Sequence, residues 1–131
     1  MPPTYTQICR EILALNPHTR FAGVVSLEAR ILAAEYREGL VPLLTPNESE
    51  LSIMQSLMRM SIRKTLEMKM GKTLYATAVY QKVKRATVPL YNEGTKPDSI
   101  LVVSFDMETN LEFAVLTEIM PYLRVIGKDL S

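Results

Sequence analysis

The stretch Ser99-Ile-Leu-Val-Val-Ser-Phe105 decides the fold of this chain. Five of its seven residues are apolar, and the run lacks the alternation of apolar and polar residues that a half-exposed strand shows. Such a run is typical of a strand that is buried on both faces. The sequence therefore predicts a central strand that other elements cover on both sides.

Two further strands are predicted near the N-terminus. Phe21–Ser26 and Ile31–Tyr36 are short and rich in apolar and β-branched residues, and the few residues of Leu27–Arg30 between them fit a hairpin turn. One helix through Glu28–Arg37 is the alternative, since those residues also favour helix.

Two more strands, which precede Ser99–Phe105 along the chain, flank a basic turn. Thr73–Tyr80 and Ala86–Leu90 are both β-rich, and the residues between them carry the positive charge. Pro89 cannot donate a hydrogen bond to a sheet, so we expect it near a strand end or on an edge.

A long central helix has the clearest start signal in the chain. Thr45 fits the N-cap, Pro46 the first helical position, and Glu48 closes the capping box. The helix is predicted to continue to about Met70, where Gly71 can adopt the left-handed cap conformation.

The terminal helices carry similar signals. Thr4 is the predicted N-cap of a helix over Tyr5–Leu15, and Thr109 that of a final helix, each followed three residues later by Gln or Glu. Pro121 should end or kink the final helix.

The predicted order is thus α-ββ-α-βββ-α in a single α+β domain over residues 1–131. A five-stranded antiparallel sheet with the long helix packed on one face satisfies this order. The terminal helices would then cover the other face or an edge.

The long helix has two apolar faces. One stripe, suited to packing on the sheet, comprises Leu51, Met54, Met58, Ile62 and Leu66. The second set comprises Ile53, Leu57, Met60 and Met68, interrupted by Lys64. An extended exposed apolar surface marks an interface. The second set is therefore covered either by a terminal helix or by a second copy of the chain, and for the second case we predict a homodimer interface formed by Ile53, Leu57, Met60, Lys64 and Met68.

Charge is unevenly distributed although the net charge is only +1. Residues 59–85 hold eight basic residues and one acid, whereas the rest of the chain holds seven basic and 13 acidic residues. The predicted partner-binding basic patch comprises Lys82, Lys84, Arg85, Arg59 and Arg63. Three interpretations remain: a solvated turn that protects a strand edge, a docking surface for an acidic protein or for the acidic half of a second copy, or a nucleic-acid surface with nearby tyrosines as stacking platforms. Net charge near zero and the lack of tryptophan make nucleic acid the weakest of the three.

No motif for catalysis or for a cofactor stands out. His18 has no carboxylate or cysteine at metal-ligand spacing, Cys9 is expected to be buried, and Gly71-Lys72-Thr73 lacks the glycine that a phosphate-binding loop needs. We expect no enzyme activity, no cofactor and no metal. The absence of a membrane-length apolar run or signal sequence favours a cytoplasmic protein.

The chain resembles the roadblock / dynein light-chain family. The resemblance rests on the order α-ββ-α-βββ-α and on three stretches, Arg20-Phe-Ala-Gly-Val-Val-Ser-Leu27, Tyr80-Gln-Lys-Val-Lys-Arg-Ala-Thr-Val-Pro-Leu90 and Ile100-Leu-Val-Val-Ser104. The family usually turns its first hairpin with an Asp-Gly-type pair, whereas here the residues are Glu28-Ala29-Arg30. The chain also resembles an uncharacterised family of small archaeal proteins.

The resemblance implies a profilin-like fold and a homodimer built through the long helices and sheet edges. It also implies a non-catalytic scaffold or regulator of small GTPases or motor-like machines. The alternative function is a PAS- or profilin-like sensor that holds a small ligand between sheet and helix.

Overall fold

The computed structural model describes residues 2–92 and 96–129 of the chain. The helices are α1 (Tyr5–Leu15), α2 (Pro46–Lys64), α3 (Glu67–Met70), α4 (Leu111–Phe113), a π-helical segment (Ala114–Ile119) and α5 (Met120–Val125). The strands are β1 (Thr19–Ser26), β2 (Ile31–Tyr36), β3 (Ala76–Val79), β4 (Lys84–Leu90) and β5 (Ser99–Phe105). The predicted single α+β domain with the order α-ββ-α-βββ-α is confirmed.

The five strands form one antiparallel sheet in the order β2-β1-β5-β4-β3. The central position of β5 is as predicted from its apolar run, and every residue of β5 except Ser104 is buried. The first hairpin is also confirmed over the helical alternative, with Ala29 in its turn at φ +68°.

Helices cover both faces of the sheet. Alternate residues of β5 point to opposite sides because strand side chains alternate. Leu101 and Val103 join a core with α1 and the C-terminal helical segment, while Ile100 and Val102 face α2. Both terminal helices therefore cover one face, and α2 packs on the other.

The long helix ends earlier than predicted, at Lys64 instead of near Met70. The backbone N–H groups of Thr65 and Leu66 donate to carbonyls three residues back, and the Thr65 hydroxyl donates to the Ile62 carbonyl at 2.8 Å. Such bonds tighten and end an α-helix. Residues 61–66 are all exposed, so no packing against the sheet opposes the break.

The C-terminal helical segment begins and continues differently from the prediction. Asn110, not Thr109, is the N-cap, and its side chain accepts from the Phe113 N–H. Pro121 does not end the helix, because the turns before it widen into the π-helical segment. This widening accommodates the residue that cannot donate a hydrogen bond.

In the β3–β4 hairpin, β3 is shorter than predicted and β4 is longer. β3 begins at Ala76 instead of Thr73, and β4 begins at Lys84 instead of Ala86. Pro89 lies beyond the last β3–β4 pair, Ala76 with Thr87, so that side of β4 is an edge, as its missing N–H requires. Within the described residues no helix is both long and apolar enough to cross a membrane.

Candidate functional site

The face of the sheet that carries α2 holds the most distinctive features of the molecule. α2 contacts this face through Ile53, Leu57 and Met60, which pack on a small cluster that includes Val25 and Val102. Towards the N-terminal half of α2, helix and sheet separate and leave a cavity of about 600 Å³. This face is therefore only partly filled by the chain itself.

The assignment of the two apolar faces of α2 from sequence was reversed. The stripe expected against the sheet is exposed: Leu51, Met54, Met58, Ile62 and Leu66. The opposite side packs instead because small serines flank its apolar residues. Ser56 is only 2% exposed, and its hydroxyl donates to the Ser52 carbonyl one turn back, which satisfies it without water.

This reversal changes the predicted dimer interface. Of its five residues, Met60 is buried and Ile53 and Leu57 are half-buried against the sheet, so they stabilise the monomer. Lys64 and Met68 are exposed, Lys64 at the end of α2 and Met68 in α3. Among the described residues, no other element covers the exposed apolar stripe on the outer side of α2.

The predicted basic patch is divided by the sheet. Lys84 and Arg85 are neighbours in β4 and point to opposite faces. The Lys84 ammonium donates to the Thr109 carbonyl at 2.6 Å and so supports the start of the C-terminal helical segment. Lys82 lies in the exposed β3–β4 turn at the cavity.

Arg85 joins the α2 side, where it meets the other arginines of the patch. A narrow cleft between α2 and the β3–β4 hairpin is lined by Arg59, Arg63 and Arg85 together with Tyr80. In the described part of the chain, none of these three guanidinium groups forms a salt bridge with a carboxylate. The cleft therefore presents positive charge without an internal counter-ion.

Arg85 is the most enclosed of the three. Its Nη1 donates to the Ser52 hydroxyl at 2.7 Å, which links β4 to α2. Burial lowers the pKa of this guanidinium, and the charge of nearby Arg59 acts in the same direction. Arg85 also lines the large cavity, so it stands between the cleft and the cavity.

Aromatic and aliphatic side chains form the cavity wall on the β1–β2 side. The rings of Phe21 and Tyr36 are in contact, with their centroids 4.8 Å apart and their planes tilted by 51°. Gly23 makes room for this arrangement, because a Cβ at that position would lie 2.7 Å from Phe21 Cζ. The wall is thus held in place by contacts within β1 and β2.

A cluster of charged side chains lies around Asp106, directly after β5, and the spacing of its members along the sequence does not indicate it. Asp106 accepts hydrogen bonds from Arg20 at 3.1 Å and Arg37 at 2.7 Å, and His18 Nδ1 lies 3.7 Å from it. Side-chain atoms of His18, Asp106 and Glu108 lie within 4.8 Å of one another, a spacing that metal ligands share. The two arginines already neutralise Asp106, so this group forms an ion cluster and a divalent cation would have to displace them.

The single cysteine is enclosed as expected. Cys9 is fully buried in the core between α1 and the sheet. Burial raises the pKa of its thiol to about 11, with the Glu35 carboxylate adding to the effect. A thiol in this state is a packing group and a poor nucleophile.

Solved structures of similar shape place this architecture among known proteins. The gliding protein MglB from Thermus thermophilus is 14% identical, with 91% of this chain and 84% of that chain covered and a TM-score of 0.68. A roadblock/LC7 domain from Streptomyces avermitilis is 12% identical, with 93% and 99% covered and a TM-score of 0.60. An MglB with a tetrameric arrangement is 15% identical, with 92% and 82% covered and a TM-score of 0.64.

These matches span about nine-tenths of the chain and confirm the roadblock-like fold that the sequence predicted. At such low identity they establish the fold alone. No protein-family model and no curated protein sequence matches the chain.

Proposed function

We propose that this chain is a non-catalytic interaction module of the cytoplasm that forms a homodimer through the outer face of α2 and acts as a scaffold or regulator of other proteins. The observation that carries the proposal is the outer stripe, defined as Leu51, Met54, Met58 and Ile62. Each of these four side chains is more than half exposed. A continuous apolar stripe on a surface helix of a folded monomer is typical of a binding surface.

The total surface of the chain supports the same proposal. Its accessible area is 8142 Å², whereas a compact monomer of 14.8 kDa is expected to expose about 7,000 Å². The excess exceeds the roughly 800 Å² per partner that a standard protein interface buries. A second copy on the outer stripe would bring the exposed area back into the ordinary range.

Charge along α2 favours one orientation of the two helices. Acidic Glu48 and Glu50 lie near its start, and basic Arg59, Arg63 and Lys64 lie near its end. A parallel pair would place like charges together, whereas an antiparallel pair brings each acidic end to a basic end. A two-fold dimer, the commonest assembly of identical chains, allows the antiparallel pair.

The partner class follows from the resemblance to the roadblock family, which implies a small GTPase or another regulated machine. Exposed Arg59 and Arg63 with Lys82 offer an acidic protein a complementary surface next to the dimer face. Self-association also occurs within this fold, since one matched MglB has a tetrameric arrangement. Net charge near zero weighs against nucleic acid as the partner.

The experiment is light scattering over a concentration series for the wild type, Met58→Glu and Val125→Glu. Val125 is 86% exposed in α5, which belongs to the layer on the other face of the sheet, so this variant adds the same charge away from the stripe. We expect dimers for the wild type and Val125→Glu, and folded monomers for Met58→Glu. A wild-type monomer at all concentrations, or a Met58→Glu dimer of unchanged affinity, would contradict the proposal.

A further variant separates the two faces of α2. Leu57 packs between helix and sheet, so Leu57→Glu would bury a charge inside the monomer. We expect Leu57→Glu to lower the melting temperature strongly. Met58→Glu should instead lower the mass measured in solution with little effect on the melting temperature. Circular dichroism melting of both variants distinguishes a lost interface from a lost core.

A further inference from the structure

We propose that the cavity beneath α2 binds a small amphipathic carboxylate, with the apolar part of the ligand between helix and sheet and the carboxylate on Arg85. The proposal concerns a site within one protomer, and of the outer stripe proposed for the dimer Leu51 alone is among the residues that line it.

The size and lining of the cavity suit such a ligand. Its volume of about 600 Å³ lies within the range of small-molecule sites, roughly 300–1,000 Å³. Apolar side chains come from the sheet, from α2 and from the segment between β2 and α2, among them Phe21, Ile31, Tyr36, Leu44 and Ile53. Several remain well exposed, Ile31 at 52% and Leu44 at 44%, although they face a concave surface. An apolar occupant would remove this surface from water.

The cavity stays open because α2 packs apolar side chains into the core at one end only. Its core contacts with the sheet are concentrated at Leu57 and Met60, and Ile53 is the last apolar residue towards the N-terminus in that cluster. Further along, small Ser49 and Ser52 line the cavity and leave space between helix and sheet, which the hydrogen bond from Arg85 to Ser52 bridges on the β4 side. The gap is thus a consequence of residue size along α2, and the contact between the rings of Phe21 and Tyr36 keeps its opposite wall in place.

Arg85 supplies the group that would select an anion. Its guanidinium is largely enclosed and, within the described ranges, has no carboxylate partner; of its five N–H bonds, one is donated to the Ser52 hydroxyl, and the Tyr80 side chain also interacts with the group. An enclosed charge without a counter-ion is costly, and a planar guanidinium binds a carboxylate through two parallel hydrogen bonds. The exposed ammonium of Lys82 at the same cavity adds further positive charge.

The other charged groups at the cavity are already occupied. Arg20 donates to Asp106 and faces that ion cluster. Glu48 is the one acid among the lining residues, and its carboxylate accepts from the Thr45 N–H in the capping box of α2. Arg85 is therefore the enclosed lining group that is still available to a ligand carboxylate.

Titration calorimetry with octanoate and with octan-1-ol tests the site, because the two probes share an apolar chain and differ in charge. We expect octanoate to bind wild-type protein at least about tenfold more tightly than octan-1-ol, as a charge-assisted hydrogen bond implies. Methyl resonances of Ile31, Leu44 and Ile53 should shift on titration, which locates the ligand. Equal binding of the two probes, or no binding of octanoate, would overturn the proposal.

Variants separate the carboxylate contact from the apolar cavity. Arg85→Gln should weaken octanoate by about tenfold or more and leave octan-1-ol unchanged. Arg30→Gln makes the same substitution in the exposed β1–β2 turn and should bind both probes like the wild type. Ala34→Phe fills the cavity from edge strand β2, where aromatic residues are favoured, and should abolish binding of both. Unchanged octanoate affinity in a folded Arg85→Gln or Ala34→Phe protein would overturn the assignment.

The Met58→Glu variant keeps this test distinct from that of the dimer. Met58 lies on the outer stripe and does not line the cavity. We expect this variant to bind octanoate as the wild type does even when it is a monomer. Loss of octanoate binding on its conversion to a folded monomer would show that the site needs a second copy and would overturn the single-protomer site.

Discussion

The Arg37 guanidinium donates to the Asp106 carboxylate at 2.7 Å, and this bond joins the end of β2 to the end of β5. Arg20 of β1 donates to the other oxygen of the same carboxylate at 3.1 Å. One carboxylate thereby ties together three neighbouring strands at one end of the sheet. Removing it would leave two partly buried guanidinium groups without their shared partner.

We predict that Asp106→Asn lowers the free energy of unfolding by about 1–2 kcal/mol at pH 7. The hydrogen bond from Arg37 lowers the pKa of Asp106, and Arg20 adds to the effect. A carboxylate whose pKa is lower in the folded than in the unfolded protein contributes its full stabilisation above the unfolded-state pKa of about 3.9. This contribution is lost as the pH falls through the lower pKa of the folded state. The difference in the free energy of unfolding between the wild type and Asp106→Asn, measured with urea, should therefore shrink below about pH 4.

Glu35→Gln is the matched control for this prediction. Glu35 accepts from Arg10 at 2.9 Å in a pair whose arginine is largely exposed, so its loss should cost less than about 0.5 kcal/mol. A constant difference between Asp106→Asn and the wild type from pH 7 to pH 3 would contradict the proposed role of the carboxylate.

The sequence predicted the sheet well because strand identity depends on local pattern. The run of β5 and the capping box at Thr45 are short-range signals, and both were confirmed. The cluster around Asp106 was missed because its members are distant in sequence, Arg20 lying 86 positions before Asp106, and meet only through the strand order. His18 likewise has no carboxylate near it in sequence but lies beside Asp106 in space.

The two apolar faces of α2 were assigned the wrong way round for a different reason. The assignment considered only apolar residues, so serines were expected to face solvent. Ser56 is nevertheless buried, because its hydroxyl donates a hydrogen bond to the helix backbone. Small Ser56 lets the helix approach the sheet near Met60, whereas Met58 and Ile62 project away from it. The cavity follows from the same packing geometry, so no local motif indicates it.

A second prediction concerns the start of the C-terminal helical segment, where sequence and structure select different N-caps. Asn110→Ala should destabilise the fold by about 1 kcal/mol, because Asn110 accepts from the Phe113 N–H. Thr109→Val should be close to neutral or slightly stabilising, because the Thr109 hydroxyl is buried without a hydrogen-bond partner among the described residues. Thermal unfolding of the pair decides which residue caps the helix, and the opposite ranking would support the cap predicted from sequence.

A third prediction concerns the thiol. Cys9 should react slowly with a disulfide reagent in the native protein and rapidly after denaturation. Its pKa of about 11 leaves only about one thiol in a thousand ionised at pH 8, and its burial excludes the reagent. The absorbance of the released thiolate, followed with and without urea, measures both rates. Rapid native reaction would mean that α1 opens readily from the sheet.

The last prediction tests the orientation of α2 in the proposed dimer, using the inert Cys9 as a silent background. Leu51 and Ile62 lie at the two ends of the outer stripe, about 16 Å apart along the helix. In an antiparallel pair each residue faces the other's position, so neither Leu51→Cys nor Ile62→Cys should form a disulfide with its own copy. A mixture of the two variants should cross-link efficiently under mild oxidation. Strong self-linking of each variant alone, seen on non-reducing gels, would instead require a parallel pair, and the charge argument from Glu48 and Arg63 would then be wrong.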